Sequence, residues 1–389
     1  MKLYLHFGAG GIGRALAGPI FSRAGYNVLF VDAAPQLVEL LHERRAYTVR
    51  VKDTLPPGTP DSEVIRNVDA LALTDMEAIT KAVTEADVIG TAVGQAHVPA
   101  VLKTMLPGLL KRTSPVSILF CENIHDARSF ALETLSPLLP KNFPLDERIG
   151  LVPTCIGKMV PRAITDDPLE VWGEAYDKII ADPTAFRGEI PRVKGLILPP
   201  CFLAFVDRKL YIHNLGHATC AVHGFLRGHA TICEAIGDEA VERETRAVMR
   251  ASALALAKRW PNALEKEDLL QHVEGLLHRF HNPFLRDTVF RVGRDLSRKL
   301  KPDDRFIGAL RLVREQHGDT NPVIRAIAAA LNFHAIDENG NPFAGDVAFF
   351  EEIKTRGLDE VLRAHCQIED PAIRVAICEN AALRSQKCK

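Results

Sequence analysis

The sequence predicts an α/β domain on a parallel, doubly wound sheet over its first half and a mainly α-helical domain over its second. Three observations predict this. Apolar strand-like runs alternate with amphipathic stretches up to about residue 190. A glycine-rich turn separates the first strand from the first helix. Beyond residue 200, apolar positions recur every three and four residues, the period of a helix.

Taken in order, LYLHF (3–7) reads as a strand, RALAGPIFSRAG (14–25) as a helix, NVLFVDA (27–33) as a strand and PQLVELLHERRA (35–46) as a helix. Further strands are expected at 70–75, 87–93, 116–123 and 148–155, with helices at 96–112 and 127–139 between them. EVWGEAYDK (170–178) still reads as a strand, and GLILPPC (195–201) ends in a double proline. Helical stretches follow at 202–226, 239–260, 269–280, 323–335 and 358–366. The proline-rich stretch sets the expected boundary, giving domains 1–192 and 193–389. There is no internal repeat.

Composition narrows the function classes. Of 389 residues, 47% are hydrophobic and 25% charged, the profile of a globular chain with a sizeable core. The formal net charge of −1 offers no global field for nucleic acid or an anionic membrane, so neither is expected as a partner. No apolar run approaches the roughly 20 residues of a membrane span, and the N-terminus lacks the length and cleavage site of a signal peptide. Eight cysteines (Cys121, Cys155, Cys201, Cys220, Cys233, Cys366, Cys378 and Cys388) show no CxxC pairing and read as reduced thiols of a cytoplasmic protein.

The turn after the first strand is Gly8-Ala9-Gly10-Gly11-Ile12-Gly13, a GxGxxG that follows a strand and opens a helix. Gly8 suits the tight turn, Gly10 the close approach of a pyrophosphate, and Gly13 close helix–strand packing. The helix N-terminus offers N–H groups and a positive dipole end to phosphates. Asp32 lies nineteen residues after Gly13, close to the ~20 expected of the acid that binds the adenosine ribose. An acid there repels the 2′-phosphate of NADP. The first domain is therefore expected to be Rossmann-like and dinucleotide-binding, with NAD as cofactor. FAD shares the fingerprint, but no further flavin contacts are evident. Val93-Gly94-Gln95 and Glu122-Asn123 fall where strands end, the edge at which open α/β sheets bind ligands. Val93 and Asn123 are cofactor candidates there, or ordinary strand-to-loop residues.

The segment KLYIHNLGHA (209–218) concentrates ionisable and amide groups. On a helix at 100° per residue, Lys209, His213, His217 and Asn214 fall at about 0°, 40°, 80° and 140°. They share one sector, where Gly216 is expected to leave room for a ligand. His213 and His217 have the i, i+4 spacing of a zinc helix, but Asn214 stands where the glutamate is needed, so no metal is expected. Two readings remain. One is polar capping and core packing. The other is hydride-transfer chemistry, in which a lysine serves as base for a hydroxyl while asparagine and histidine hydrogen-bond the same oxygen.

Lys-x4-Asn-x2-His, as Lys209, Asn214 and His217, resembles the active-site motif of the polyol-specific long-chain dehydrogenase family. The opening LHFGAGGIGR, CEN (121–123), KLYIHNLGHA and RFHNPFLRDTVFRVGRDLSRKL (279–300) resemble the branch of that family that handles mannitol 1-phosphate. The resemblance spans both halves. It implies NAD(H) as redox partner, no metal and a monomer, with a sugar alcohol or ketose phosphate as the small-molecule substrate. It implies Lys209 as general acid/base, Asn214 and His217 orienting and polarising the reacting oxygen, and Asn123 and Arg279 near substrate. One departure stands out. Where the family often has Asp-Arg-Ile before a proline, this chain has Gly157-Lys158-Met159-Val160-Pro161. Lys158 there is either a substrate contact, meeting a phosphate or carboxylate, or a solvated lysine. The basic run Arg279, Arg286, Arg291, Arg294, Arg298 and Lys299 is either a phosphate grip or a salt-bridged face, since Asp287 and Asp295 are interspersed.

Overall fold

The computed structural model describes residues 2–124, 126–161 and 163–387; Cys388 lies outside them. The chain divides into two compact units, Met1–Phe202 and Leu203–Lys389. The division falls ten residues past the boundary read from the prolines, because Leu196–Ile197 still contribute an edge strand to the first unit.

The strands are β1 Leu3–Phe7, β2 Asn27–Asp32, β3 Ala46–Val51, β4 Ser62–Arg66, β5 Val68–Ala72, β6 Val88–Thr91, β7 Val116–Phe120, β8 Ile149–Ile156, β9 Val171–Gly173, β10 Ile179–Ala181 and β11 Leu196–Ile197. Eight of them form one sheet in the order β11-β10-β8-β7-β6-β1-β2-β5. From β5 to β8 every neighbouring pair is parallel, and β10 then runs antiparallel to β8. Both faces are buried, as a parallel sheet requires. Tyr4, Val28 and Phe30 point into one core with Leu16 and Phe21, while Leu5, Phe7 and Val31 point into the other with Leu102 and Ile118. That is the two-residue period of a strand with an apolar layer on each side.

β1 lies between β2 and β6. The chain steps from β1 to one side and later returns to the other, so the carboxyl ends of β1 and β6 flank a topological switch point, where such sheets bind ligands.

Two features escape the sequence reading. β3 and β4 pair antiparallel, and β9 joins β3 in parallel, forming a small second sheet. These strands are half polar, yet Tyr47, Val49 and Ile65 are buried against the first core. The stretch 170–178, read as one strand, instead breaks after Gly173. Glu174 turns inward there and its carboxylate accepts from the Met159 N–H, and the chain re-enters the main sheet only at Ile179.

The second unit is helical throughout, its helices including Leu215–Leu226, Glu239–Arg259, Lys266–Phe280, Arg305–Glu315, Asn321–Ala330, Ala344–Arg356 and Pro371–Lys387. Asp238 caps the long helix Glu239–Arg259 by accepting from the Ala240 N–H at 2.9 Å. A capping box ties Thr231 to Glu234: the threonine hydroxyl accepts from the Glu234 N–H at 3.2 Å and the glutamate accepts from the Thr231 N–H at 3.0 Å. No helix among the described residues is long and apolar enough to cross a membrane.

Candidate active site

Two constellations of candidate residues stand out, one in each unit. In the first, Gly8 leaves β1 at φ +99°, and a Cβ there would lie 2.5 Å from the Ala92 carbonyl oxygen. A Cβ on Gly13 would lie 2.1 Å from the Gly8 carbonyl oxygen, so the turn closes only because both are glycine. Beside Gly10 the space is open, with no atom within 4 Å of where a Cβ would stand. This is the cradle a pyrophosphate needs above a helix N-terminus. Ile12 packs against the core, and the helix continues through a π-helical turn at Gly13–Ala17.

Asp32 ends β2 and fixes the turn. Its carboxylate accepts from the Ala9 N–H at 2.7 Å and from the Ala34 N–H at 2.9 Å. The Ala9 N–H is thus committed to Asp32 and is not offered to a phosphate. Each carboxylate oxygen has a second lone pair, so the group still suits ribose hydroxyls. Across the switch point, the buried Glu122 accepts from the Val93 N–H at 2.8 Å and the Gly94 N–H at 2.9 Å. Asn123 follows Glu122 and is exposed. The sequence reading noted Glu122 by position only. Its signal was an acid placed two residues after the wholly buried strand β7.

In the second unit, residues 202–226 run as one helical stretch, but Lys209–Asn214 is π-helical. The Leu215 N–H donates to the Leu210 carbonyl five residues back, as a π turn does. The helical-wheel angles therefore do not hold locally. Lys209 and Asn214 are half-buried, and His213 is buried. The His217 ring stacks on Phe280 with centroids 5.0 Å apart, and lies 6.2 Å from the His213 ring. His217 Nε2 lies 3.3 Å from Asp287 Oδ2, both side chains less than a fifth exposed. Asp287 also accepts from the Arg291 guanidinium. A cavity of about 400 Å³ opens beside this pair, lined by His217, Phe280, Asn282, Leu285 and Cys233.

Electrostatics separate the two histidines. Burial and then the charge of Arg279, with smaller effects of His217 and Lys209, hold His213 well below the ordinary histidine value, so its ring is neutral. Burial and then Arg208 and Arg279 hold His272 down to about 3. Burial also lowers His217, but Asp287 pulls it back toward the ordinary value. Burial pushes the Asp287 carboxyl up, and His217 and Arg291 more than offset it, leaving it below the usual carboxylate range.

Gly216 does not face a ligand. A Cβ there would meet the Met249 sulfur at 2.4 Å, so this glycine brings the helices Leu215–Leu226 and Glu239–Arg259 together. Arg279 is half-buried near the end of Lys266–Phe280, its charge felt at His213 and His272. Lys158 is not solvated. Its side chain is 5% exposed and its ammonium lies 3.6 Å from Asp177, so a carboxylate of its own unit engages it. Three of the six residues of the basic run are likewise engaged internally: Arg291 by Asp287, Arg298 by Asp295 and Asp304, and Lys299 by the Arg294 carbonyl. Asp287, Phe280 and His272 are members of the site that sequence reasoning did not single out. Among the described residues, no three His, Cys, Asp or Glu side chains gather as metal ligands would.

Comparison with known proteins follows this geometry. The family model of the mannitol dehydrogenase Rossmann domain matches residues 2–195, and that of the mannitol dehydrogenase C-terminal domain matches residues 202–383. The fold is similar to that of a D-sorbitol dehydrogenase in substrate-free form, with TM-score 0.80 and 15% identity over 99% of this chain and 93% of that one. It is also similar to the Pseudomonas fluorescens mannitol 2-dehydrogenase in ternary complex with NAD and D-mannitol, with TM-score 0.73 and 16% identity over 100% of this chain and 92% of that one.

Proposed function

The chain belongs to the mannitol dehydrogenase family, and on that premise we propose that it is an NAD-dependent oxidoreductase interconverting mannitol 1-phosphate and fructose 6-phosphate. The observation that carries this reading is the half-buried Lys209, Asn214 and His217 on one helical stretch, bordered by the cationic Arg279. Gly8–Gly13 and Asp32 would hold the dinucleotide, its pyrophosphate at the open side of Gly10 and its ribose at Asp32. When bound, NAD(H) supplies or accepts the hydride.

The chain's own residues do the rest. Lys209 Nζ takes the hydroxyl proton in oxidation and returns it in reduction. The Asn214 amide donates to the oxygen on which charge develops. Burial in this face keeps water from competing for those hydrogen bonds.

A phosphorylated substrate is favoured by the charges around the site. Those acting on His272 come from Arg208 and Arg279, and those acting on His213 include Arg279 and Lys209. Cationic side chains suit a phosphate dianion, and Arg279 is the residue assigned to it. The test is NADH oxidation with fructose 6-phosphate against fructose. The phosphate should be the far better substrate, mostly through KM, and Arg279→Ala should shrink the gap. Equal use of fructose would replace the phosphate ester by a free polyol.

A further inference from the structure

We infer that Asp287 is the positioning residue for His217, holding the imidazole with its proton on Nε2 so that the Nδ1 lone pair, a hydrogen-bond acceptor, meets the substrate. The inference rests on reading Lys209, Asn214 and His217 as a dehydrogenase site.

The geometry supplies the argument. A neutral imidazole has one N–H and one lone pair, and the partner of one nitrogen decides the state of the other. Here Nε2 faces the Asp287 carboxylate at 3.3 Å. A carboxylate held charged only accepts, so Nε2 carries the hydrogen. The carboxylate is itself fixed, because Arg291 donates to its other oxygen and the Asp287 carbonyl accepts from the Ile232 N–H at 2.8 Å. Phe280, stacked on the ring at an interplanar angle of 15°, fixes its plane. The nitrogen left for the substrate is Nδ1.

This assigns roles within the site. A bare Nδ1 has nothing to donate to a ketone oxygen. It pairs with a hydroxyl, so His217 holds a hydroxyl of the sugar chain. The Lys209 ammonium and the Asn214 amide remain as the donors to the reacting oxygen. This differs from a histidine that polarises the carbonyl, the role implied by the family resemblance. Protonation of His217 would convert Nδ1 to a donor and lose the contact. The groups facing the ring are Asp287, Arg291, Arg305, His213 and Phe280. Among them Asp287 carries the negative charge that favours the cation.

The experiment is ¹⁵N-resolved NMR of the histidine rings at neutral pH, with His217→Gln identifying the His217 signals. The expected result is a protonated Nε2 and a bare Nδ1 in the unaltered protein. A bare Nε2 there overturns the proposal without any variant. Asp287→Asn supplies the second arm. Arg291 only donates, so it claims the amide oxygen and turns the amide NH₂ toward Nε2, which moves the ring proton to Nδ1. The kcat/KM for the ketose should fall at least about tenfold, the weight of one well-placed hydrogen bond, chiefly through KM. Its acid limb should flatten, because Nδ1 is already a donor in the variant and protonation of the ring no longer changes that contact. Unchanged signals and an unchanged kcat/KM in this variant overturn the proposal. If the unaltered protein shows the expected ring state but reduces no ketose, the positioning role stands and the functional reading fails.

Discussion

The Glu122 carboxylate grips the backbone of Val93, accepting its N–H at 2.8 Å while its second oxygen takes the Gly94 N–H at 2.9 Å. One buried acid therefore holds the end of β6 to the end of β7 at the switch point, with Gly94 at φ +86° allowing the turn. In Glu122→Gln, one of the two N–H groups must face an NH₂. The expected cost is about 1–3 kcal/mol, that of an unsatisfied buried donor. Urea denaturation checks it, and an unchanged midpoint would show that the two bonds add no net stability.

Asp32 is expected to serve both the turn and the cofactor. Its oxygens hold the Ala9 and Ala34 N–H groups, and its charge repels a 2′-phosphate. Asp32→Ala should therefore weaken NADH binding and narrow the preference over NADPH, measured by fluorescence titration with both. An unaltered protein that prefers NADPH would remove Asp32 from the ribose.

Lys209→Ala should lower turnover by at least the ~10² typical of a positioned proton-transfer group, while NADH affinity changes little. Steady-state turnover and NADH titration on the same preparation separate the two. Near-normal turnover would leave the proton to another group.

Much of this was legible in the sequence because it rests on local signals. Apolar runs with a two-residue period, a glycine turn and an acid nineteen residues on report the parallel sheet and its switch point without knowledge of tertiary contacts. The helical period likewise placed Lys209, Asn214 and His217 on one element. What was missed depends on distant partners. β3 and β9 pair across more than a hundred residues. Asp287 is recognisable only once His217 stands beside it, seventy residues away in the chain. Gly216 illustrates the same limit: the sequence shows that a side chain is missing, and only the fold shows that Met249 fills the space.

The first unit should lose stability in acid through His6. This residue lies wholly buried in β1, with Nδ1 2.8 Å from the Tyr4 hydroxyl and the ring edge-on to Phe30. Burial lowers it to about 3 from the ordinary 6.5. Above 6.5 both folded and unfolded chains leave it neutral, and its contribution is fully present. Below 6.5 the unfolded chain takes up a proton that the folded chain refuses, so stability falls with pH until about 3, where the folded form titrates. At about 1.4 kcal/mol per pH unit, roughly 2 kcal/mol is lost between pH 6.5 and about 5. His6→Asn removes the titration and keeps a polar atom within reach of Tyr4. Its unfolding free energy should therefore fall less steeply than that of the unaltered protein between pH 7 and 5, by about that amount. His213 and His272 contribute equally to both proteins and cancel in the comparison. Parallel curves would mean that His6 already accepts a proton in the folded state, by opening of the strand or by entry of water beside the ring.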